Sequence, residues 1–129
     1  MAKGIEIRDA HFPGRAPIDA YGNGGFRFAD MSHRGSILCL PSGIHGWEPK
    51  TPPIVTAADL SLLIEQADDI EILLVGTGTE LRRLPQELRD ALRKYRISAD
   101  PMSTGAAVRT YNVLLAEDRA VAAALIAVD

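Results

Sequence analysis

The residues whose types and spacing could do chemistry gather in one stretch of this 129-residue chain: Gly76-Thr77-Gly78-Thr79-Glu80, followed by Arg82 and Arg83. Two glycines one residue apart, after an apolar run, begin the dinucleotide-binding fingerprint, in which backbone N–H groups approach a pyrophosphate. Asp100 stands about where the ribose-binding acid of that motif would lie. Two features count against a nucleotide: the third glycine position is Leu81, and helix onset near Leu84 leaves a longer loop than a pyrophosphate cradle needs. A smaller anion or polar ligand, held by the loop's N–H groups with Thr77, Thr79 and Arg82 or Arg83, ranks above it. A tight turn that uses glycine for geometry alone ranks first.

Other reactive side chains form no recognisable constellation. His33, Cys39 and His45 stand six apart, and strand geometry gives no reason for them to converge. Local pairs such as C-x-x-C or H-x-x-x-H are absent, so no metal and no cofactor is expected. Ser42 and Ser103 have no identifiable His–Asp partners, and no G-x-S-x-G elbow precedes a helix. Arg109 and Asn112 flank Tyr111 on a helix whose other face is apolar. They either line a cleft at the strand ends or tie neighbouring loops to the fold. Cys39, inside Ile37-Leu38-Cys39-Leu40, reads as a buried and inert thiol.

The elements that must position these residues are legible as patterns. Ile70 to Val75 is almost wholly apolar, as in a strand covered on both faces, and it reads as the central strand. Helical stripes follow and precede it: Leu60, Leu63, Ile64 and Ala67 after a Thr56–Asp59 capping pair, then Leu84, Leu88, Ala91, Leu92 and Tyr95. Arg96 to Ala99 reads as a strand closed by Asp100-Pro101. Ser103 or Thr104 caps a third helix that buries Ala107, Tyr111, Leu114 and Leu115 and ends at Glu117-Asp118. Ala120 to Val128 fits strand or helix by composition and is assigned to a strand because a parallel sheet accepts it.

The first half reads as short strands and turns. Ile5 to Asp9 and Ile18 to Tyr21 are candidate strands, with a loop over His11 to Pro17. Gly22 to Gly25 is a turn, and Phe26 to Ala29 a half-buried strand. Ser32 to Gly35 reads as a reverse turn that sends Ser36 to Leu40 back as the partner of that strand. Ile44 to Trp47 adds another strand, and the prolines at 49, 52 and 53 form an extended linker. The expectation is one domain over residues 1–129, β-rich to about residue 53 and α/β from about residue 54. Its class is a three-layer α/β fold with a mixed central sheet, flanking helices and a small β-rich N-terminal subdomain.

Composition excludes several function classes. The net charge of −3 argues against nucleic acid as the general partner, since phosphate binding needs a basic face. No run approaches the length of a membrane span, and Met1 to Ile7 carries no apolar targeting segment. A lone cysteine and no disulfide make a cytoplasmic location the expectation. Charge is nonetheless segregated: six acids and no base from Asp59 to Glu80, then six bases against two acids from Arg82 to Arg96.

Gly24-Gly25-Phe26-Arg27, Ile44 to Trp47, Gly76-Thr77-Gly78, Arg109 to Arg119 and Val121 to Leu125 together resemble one family. It comprises small uncharacterised domains and includes a mitochondrial respiratory complex I assembly factor and an adipogenesis-associated cytosolic protein. The resemblance spans about Ile18 to Val128 and implies the same three-layer fold. It also implies a protein partner, and it supplies no catalytic residues. The expectation is therefore a non-enzymatic binding or assembly module. The alternative is a ligand-binding protein or enzyme that holds a small anion on the Gly76–Glu80 loop.

Overall fold

The structure, a computed structural model, describes residues 12–129. Among the described residues nine strands run in chain order: β1 Phe12–Pro13, β2 Ala20–Gly22, β3 Gly25–Phe28, β4 Met31–Arg34, β5 Ser36–Leu40, β6 Gly43–Trp47, β7 Ile72–Gly76, β8 Ser98–Met102 and β9 Val121–Leu125. Three α-helices accompany them: α1 Ser61–Glu65 between short 3-10 turns, α2 Gln86–Lys94 and α3 Thr104–Ala116. The strands form a six-stranded sheet in the order β1-β6-β5-β9-β7-β8 and a three-stranded sheet in the order β2-β3-β4. β7 is parallel to β8 and β9, whereas β5 is antiparallel to β9 and β6. The class is the three-layer α/β fold with a mixed sheet and a small β-rich unit.

Side-chain alternation explains the layers. Leu38, Leu40, Leu73, Val75, Ala122, Ala124 and Ile126 point to one face, where Leu60, Leu63, Leu84, Leu88 and Leu92 cover them. Ile37, Cys39, Leu74, Val121, Ala123 and Leu125 point to the other, under Phe26, Phe28, Ala107, Val108 and Tyr111. Every residue of β9 is buried, so its unbroken apolar run belongs to a strand roofed on both sides. Its alanines keep it thin, and α3 packs close above it.

Several local expectations are corrected. β7 is covered on both faces but is fifth of six strands; the inner position between β5 and β7 belongs to β9. Ser32 to Gly35 is no turn: Met31–Arg34 is a strand paired to β3, and the reversal occurs at Ala29 and Asp30, with φ of +47° and +61°. Left-handed alanine carries no composition signal, so the turn is invisible in the sequence. Ser36–Leu40 consequently pairs with β6 and β9 instead of β3. Phe12–Pro13, expected in a loop, pairs with β6. β8 starts at Ser98 and runs through Asp100 and Pro101; among the described residues its only partner is β7, and a proline is tolerated on such an outer strand. Tyr95 is 48% exposed, because α2 ends at Lys94 and the chain reverses at Arg96 (φ +62°) before the stripe reaches it. The expected strand Ile5 to Asp9 lies outside the described residues.

Candidate functional site

Beyond β7 the glycine loop is tied down from within. Thr77 is 2% exposed. Its hydroxyl lies 2.7 Å from the Glu80 carbonyl oxygen and 3.1 Å from that of Met102, and it accepts the Arg82 N–H at 3.0 Å. Thr77 N–H donates to the Met102 carbonyl at 2.9 Å, and Gly78 N–H donates to the Thr104 hydroxyl at 3.0 Å. The Thr104 hydroxyl, fully buried, in turn donates a hydrogen bond to the Ile126 carbonyl at 2.7 Å. The loop, the start of α3 and the end of β9 thus share one hydrogen-bond network.

The two glycines serve different needs. A Cβ on Gly76 would come within 3.0 Å of Thr104 Cα, so close approach of α3 requires glycine there. Gly78 has open space around it but a φ of +106°, a backbone that glycine adopts readily. The N–H groups of Thr77 and Gly78, expected to cradle an anion, already have internal acceptors. Thr79, Glu80, Arg82 and Arg83 are exposed. Arg82 and Arg83 line a hollow of about 400 Å³ with Thr77, Pro53, Val55 and Leu84.

Asn112 sits eight residues along α3 from Thr104, about 12 Å by helical rise. It clamps the backbone of Ile18: its Oδ1 accepts the Ile18 N–H and its Nδ2 donates to the Ile18 carbonyl, both at 2.9 Å. Of the two alternatives for this residue, the tie between elements is the one present. Arg109 on the same helix is exposed. The loop and Thr77 therefore meet Thr104, which the sequence marks only as an alternative helix cap, while Asn112 stands apart.

A wider concavity lies elsewhere. An open cleft of about 1240 Å³ runs between the small sheet and β6, with Arg27, Arg34, His33, His45, Trp47 and Glu48 in its walls. The two histidines do converge on one cleft, contrary to the sequence expectation, because β4 folds back along β3 instead of turning. His33 is 8% exposed, with Nε2 3.2 Å from the Ser36 carbonyl oxygen. Ser42 also has a histidine neighbour: its Oγ lies 2.8 Å from His45 Nε2 across the β5–β6 turn. Gln66, just past the end of α1, holds the same serine, donating to Oγ at 2.8 Å and accepting the Ser42 N–H at 3.0 Å. Among the described residues no three His, Cys, Asp or Glu side chains gather as a metal site. Cys39 is fully buried, and burial pushes its thiol up to about 12 against the opposing hydrogen bond from Tyr111.

The family described as protein of unknown function (DUF498/DUF598) matches residues 18–126. The chain belongs to the DUF498/DUF598 family. It resembles an uncharacterised protein of Rhodobacter capsulatus, 40% identical over 92% of this chain and 90% of that one. It is 31% identical, over 95% of its length, to the mouse protein named NADH dehydrogenase [ubiquinone] 1 alpha subcomplex assembly factor 3, of which it spans 66%. A crystal structure titled as an outer membrane protein from Bartonella henselae superposes with a TM-score of 0.89 at 70% identity, covering 92% of this chain and 100% of that one. The resemblance to complex I assembly factors read from the sequence is thus present across this DUF498/DUF598 domain. No helix among its described residues is long and apolar enough to cross a membrane.

Proposed function

We propose that this DUF498/DUF598 domain is a non-enzymatic, cytoplasmic protein-binding module that assists assembly of a larger complex. The observation that carries this reading is the open cleft between the two sheets. Among the described residues it is wide and open, walled by Arg27, Arg34, His45 and Trp47, a surface suited to a partner's side chains more than to an enclosed metabolite. Similarity to a mouse assembly factor over 95% of the chain supports the same class of role. Affinity capture from native extract with the wild-type domain and with Arg27→Glu/Arg34→Glu tests it. One protein retained by the first and lost by the second is the expected result; identical capture by both would remove the cleft from the proposal.

A second reading rests on the hollow beside Arg82 and Arg83. There a small anion would be held by guanidinium groups, since the loop's own N–H groups at Thr77 and Gly78 are engaged. Thermal-shift screening with phosphate, sulfate and nucleotides separates the readings. Stabilisation that disappears in Arg82→Gln/Arg83→Gln supports the ligand, and no shift at millimolar concentration ends it.

A further inference from the structure

The open side of the six-stranded sheet offers a second surface of a different kind. Among the described residues β8 pairs with β7 alone. Ser98 N–H donates to the Glu71 carbonyl on the β7 side, and the Met102 carbonyl receives the Thr77 N–H there. Backbone alternation therefore turns Ser98, Asp100 and Met102 toward β7, and Ala99 and Pro101 outward. The outer edge presents the Ala99 N–H, the Ala99 carbonyl and the Pro101 carbonyl. Proline's missing donor falls on this outward side, where it costs the sheet nothing.

Beside that edge lies a groove of about 330 Å³ lined by Arg89, Arg93, Arg96, Ile97, Ser98 and Ala99. The arginines are exposed. Arg93 has one acidic neighbour, Asp90, at 3.6 Å, a solvent-exposed pair that exchanges readily for another carboxylate. Asp100 sits on the opposite face of β8: Ala99 packs with the α2 layer, whereas Met102, on the Asp100 side, packs with the α3 layer. The spacing is informative. Arg89 and Arg93, four apart on a helix, are separated by about 6 Å along its axis. Alternate residues of a strand are separated by about 6.6 Å, so successive same-face side chains of an added strand meet successive arginines.

We infer that the β8 edge and the arginine row of α2 bind an extended, acidic segment of another protein by strand addition. Its backbone pairs with Ala99 and Pro101, and carboxylates two positions apart face Arg89 and Arg93, with Arg96 adding positive charge from the turn beyond the helix end. A second copy of this chain is disfavoured as the occupant, because two-fold β8–β8 pairing brings the same arginine row against itself. The surface is separate from the cleft between the sheets and stands without it.

The test is an NMR titration of the full chain with a seven-residue peptide of alternating glutamate and valine. Shifts confined to Ile97–Met102 and α2, weakening more than tenfold on raising salt from low to high, are expected. Arg89→Gln/Arg93→Gln should lose binding at least tenfold while Arg27→Glu keeps it; all are exposed positions, so the fold persists. The same peptide N-methylated on the residues that face β8 should also lose binding. Equal binding of the methylated peptide would reduce the site to charge attraction and overturn strand addition. Absence of shifts at Ile97–Met102 at millimolar peptide, shifts in the cleft instead, or tighter binding of a DNA or RNA oligonucleotide would each overturn the inference. A captured partner in the cleft experiment would survive any of these failures.

Discussion

At the scale of single residues, Thr104 and Thr77 hold the strand ends together. Thr104 is fully buried between the Gly78 N–H and the Ile126 carbonyl. Thr104→Val keeps the shape and strands both groups, each at a cost of roughly 1–3 kcal/mol. Urea unfolding should show a loss of about 2 kcal/mol or more, and Thr104→Ser should recover most of it. Thr77→Val should likewise cost about 1–3 kcal/mol, whereas Thr79→Val at the exposed tip should change stability by less than about 0.5 kcal/mol. From the sequence the two loop threonines look alike, and neither carries a backbone demand. The Thr77 hydroxyl finds its partners in the fold-back of its own loop at Glu80 and Arg82 and in the Met102 carbonyl of β8, and neither shows in the residue types, so that difference was not legible.

Asp59 is the residue with a pH signature. Burial opposes its charge, but hydrogen bonds from Thr56 N–H, Lys50 N–H and the Thr56 hydroxyl, with the Lys50 charge, outweigh it and hold the carboxyl below the usual range. A lowered folded-state pKa contributes stability that is complete above the unfolded value of about 4 and is lost as pH falls through the folded one. Wild-type protein should therefore lose more stability than Asp59→Asn between about pH 5 and pH 2, as thermal melts across that window will show. The Thr56–Asp59 pair was legible because a capping box is a local, three-residue device.

Elements were legible where a period runs long enough and illegible where pairing is remote. Leu73 and Leu74 point to opposite faces of β7 and are at most 1% exposed. Leu73→Ala or Leu74→Ala should each cost about 2–5 kcal/mol through lost burial and a cavity. Changes below about 0.5 kcal/mol in urea unfolding would make β7 peripheral. Gly76→Ala should destabilise as well, since the added methyl meets Thr104 backbone at 3.0 Å. The apolar run of β9 announced a roofed segment, and topology made it a strand. Its antiparallel partner did not show, because Ile37 meets Leu125 across most of the chain. The failed prediction at Tyr95 has the same lesson in miniature: a stripe says which face is buried but not where the helix stops.

At the scale of the molecule, the segment before β2 is tied to α3 by the Asn112 clamp on Ile18. Asn112→Ala should accelerate amide exchange at Ile18 while leaving β9 amides protected, a separation that hydrogen-exchange NMR reads directly. The charge segregation seen in the sequence acquires a location here: the basic run falls on α2 beside the open edge. The cleft between the two sheets was not legible. Its walls come from β3, β4 and β6, and the reversal at Ala29–Asp30 that brings them together leaves no mark in composition.

The sheet order also sets order in space against order in time. Strands leave the ribosome as β1 to β6, then β7 and β8, and only afterwards the strand that lies between β5 and β7. Until Leu125 has emerged, β5 and β7 each carry an unsatisfied inner edge, and the nascent chain holds two sheet fragments with nothing to join them. Closure of this domain is therefore a late event. A chain stopped at Ala120 would leave the facing edges of β5 and β7 without the strand that joins them.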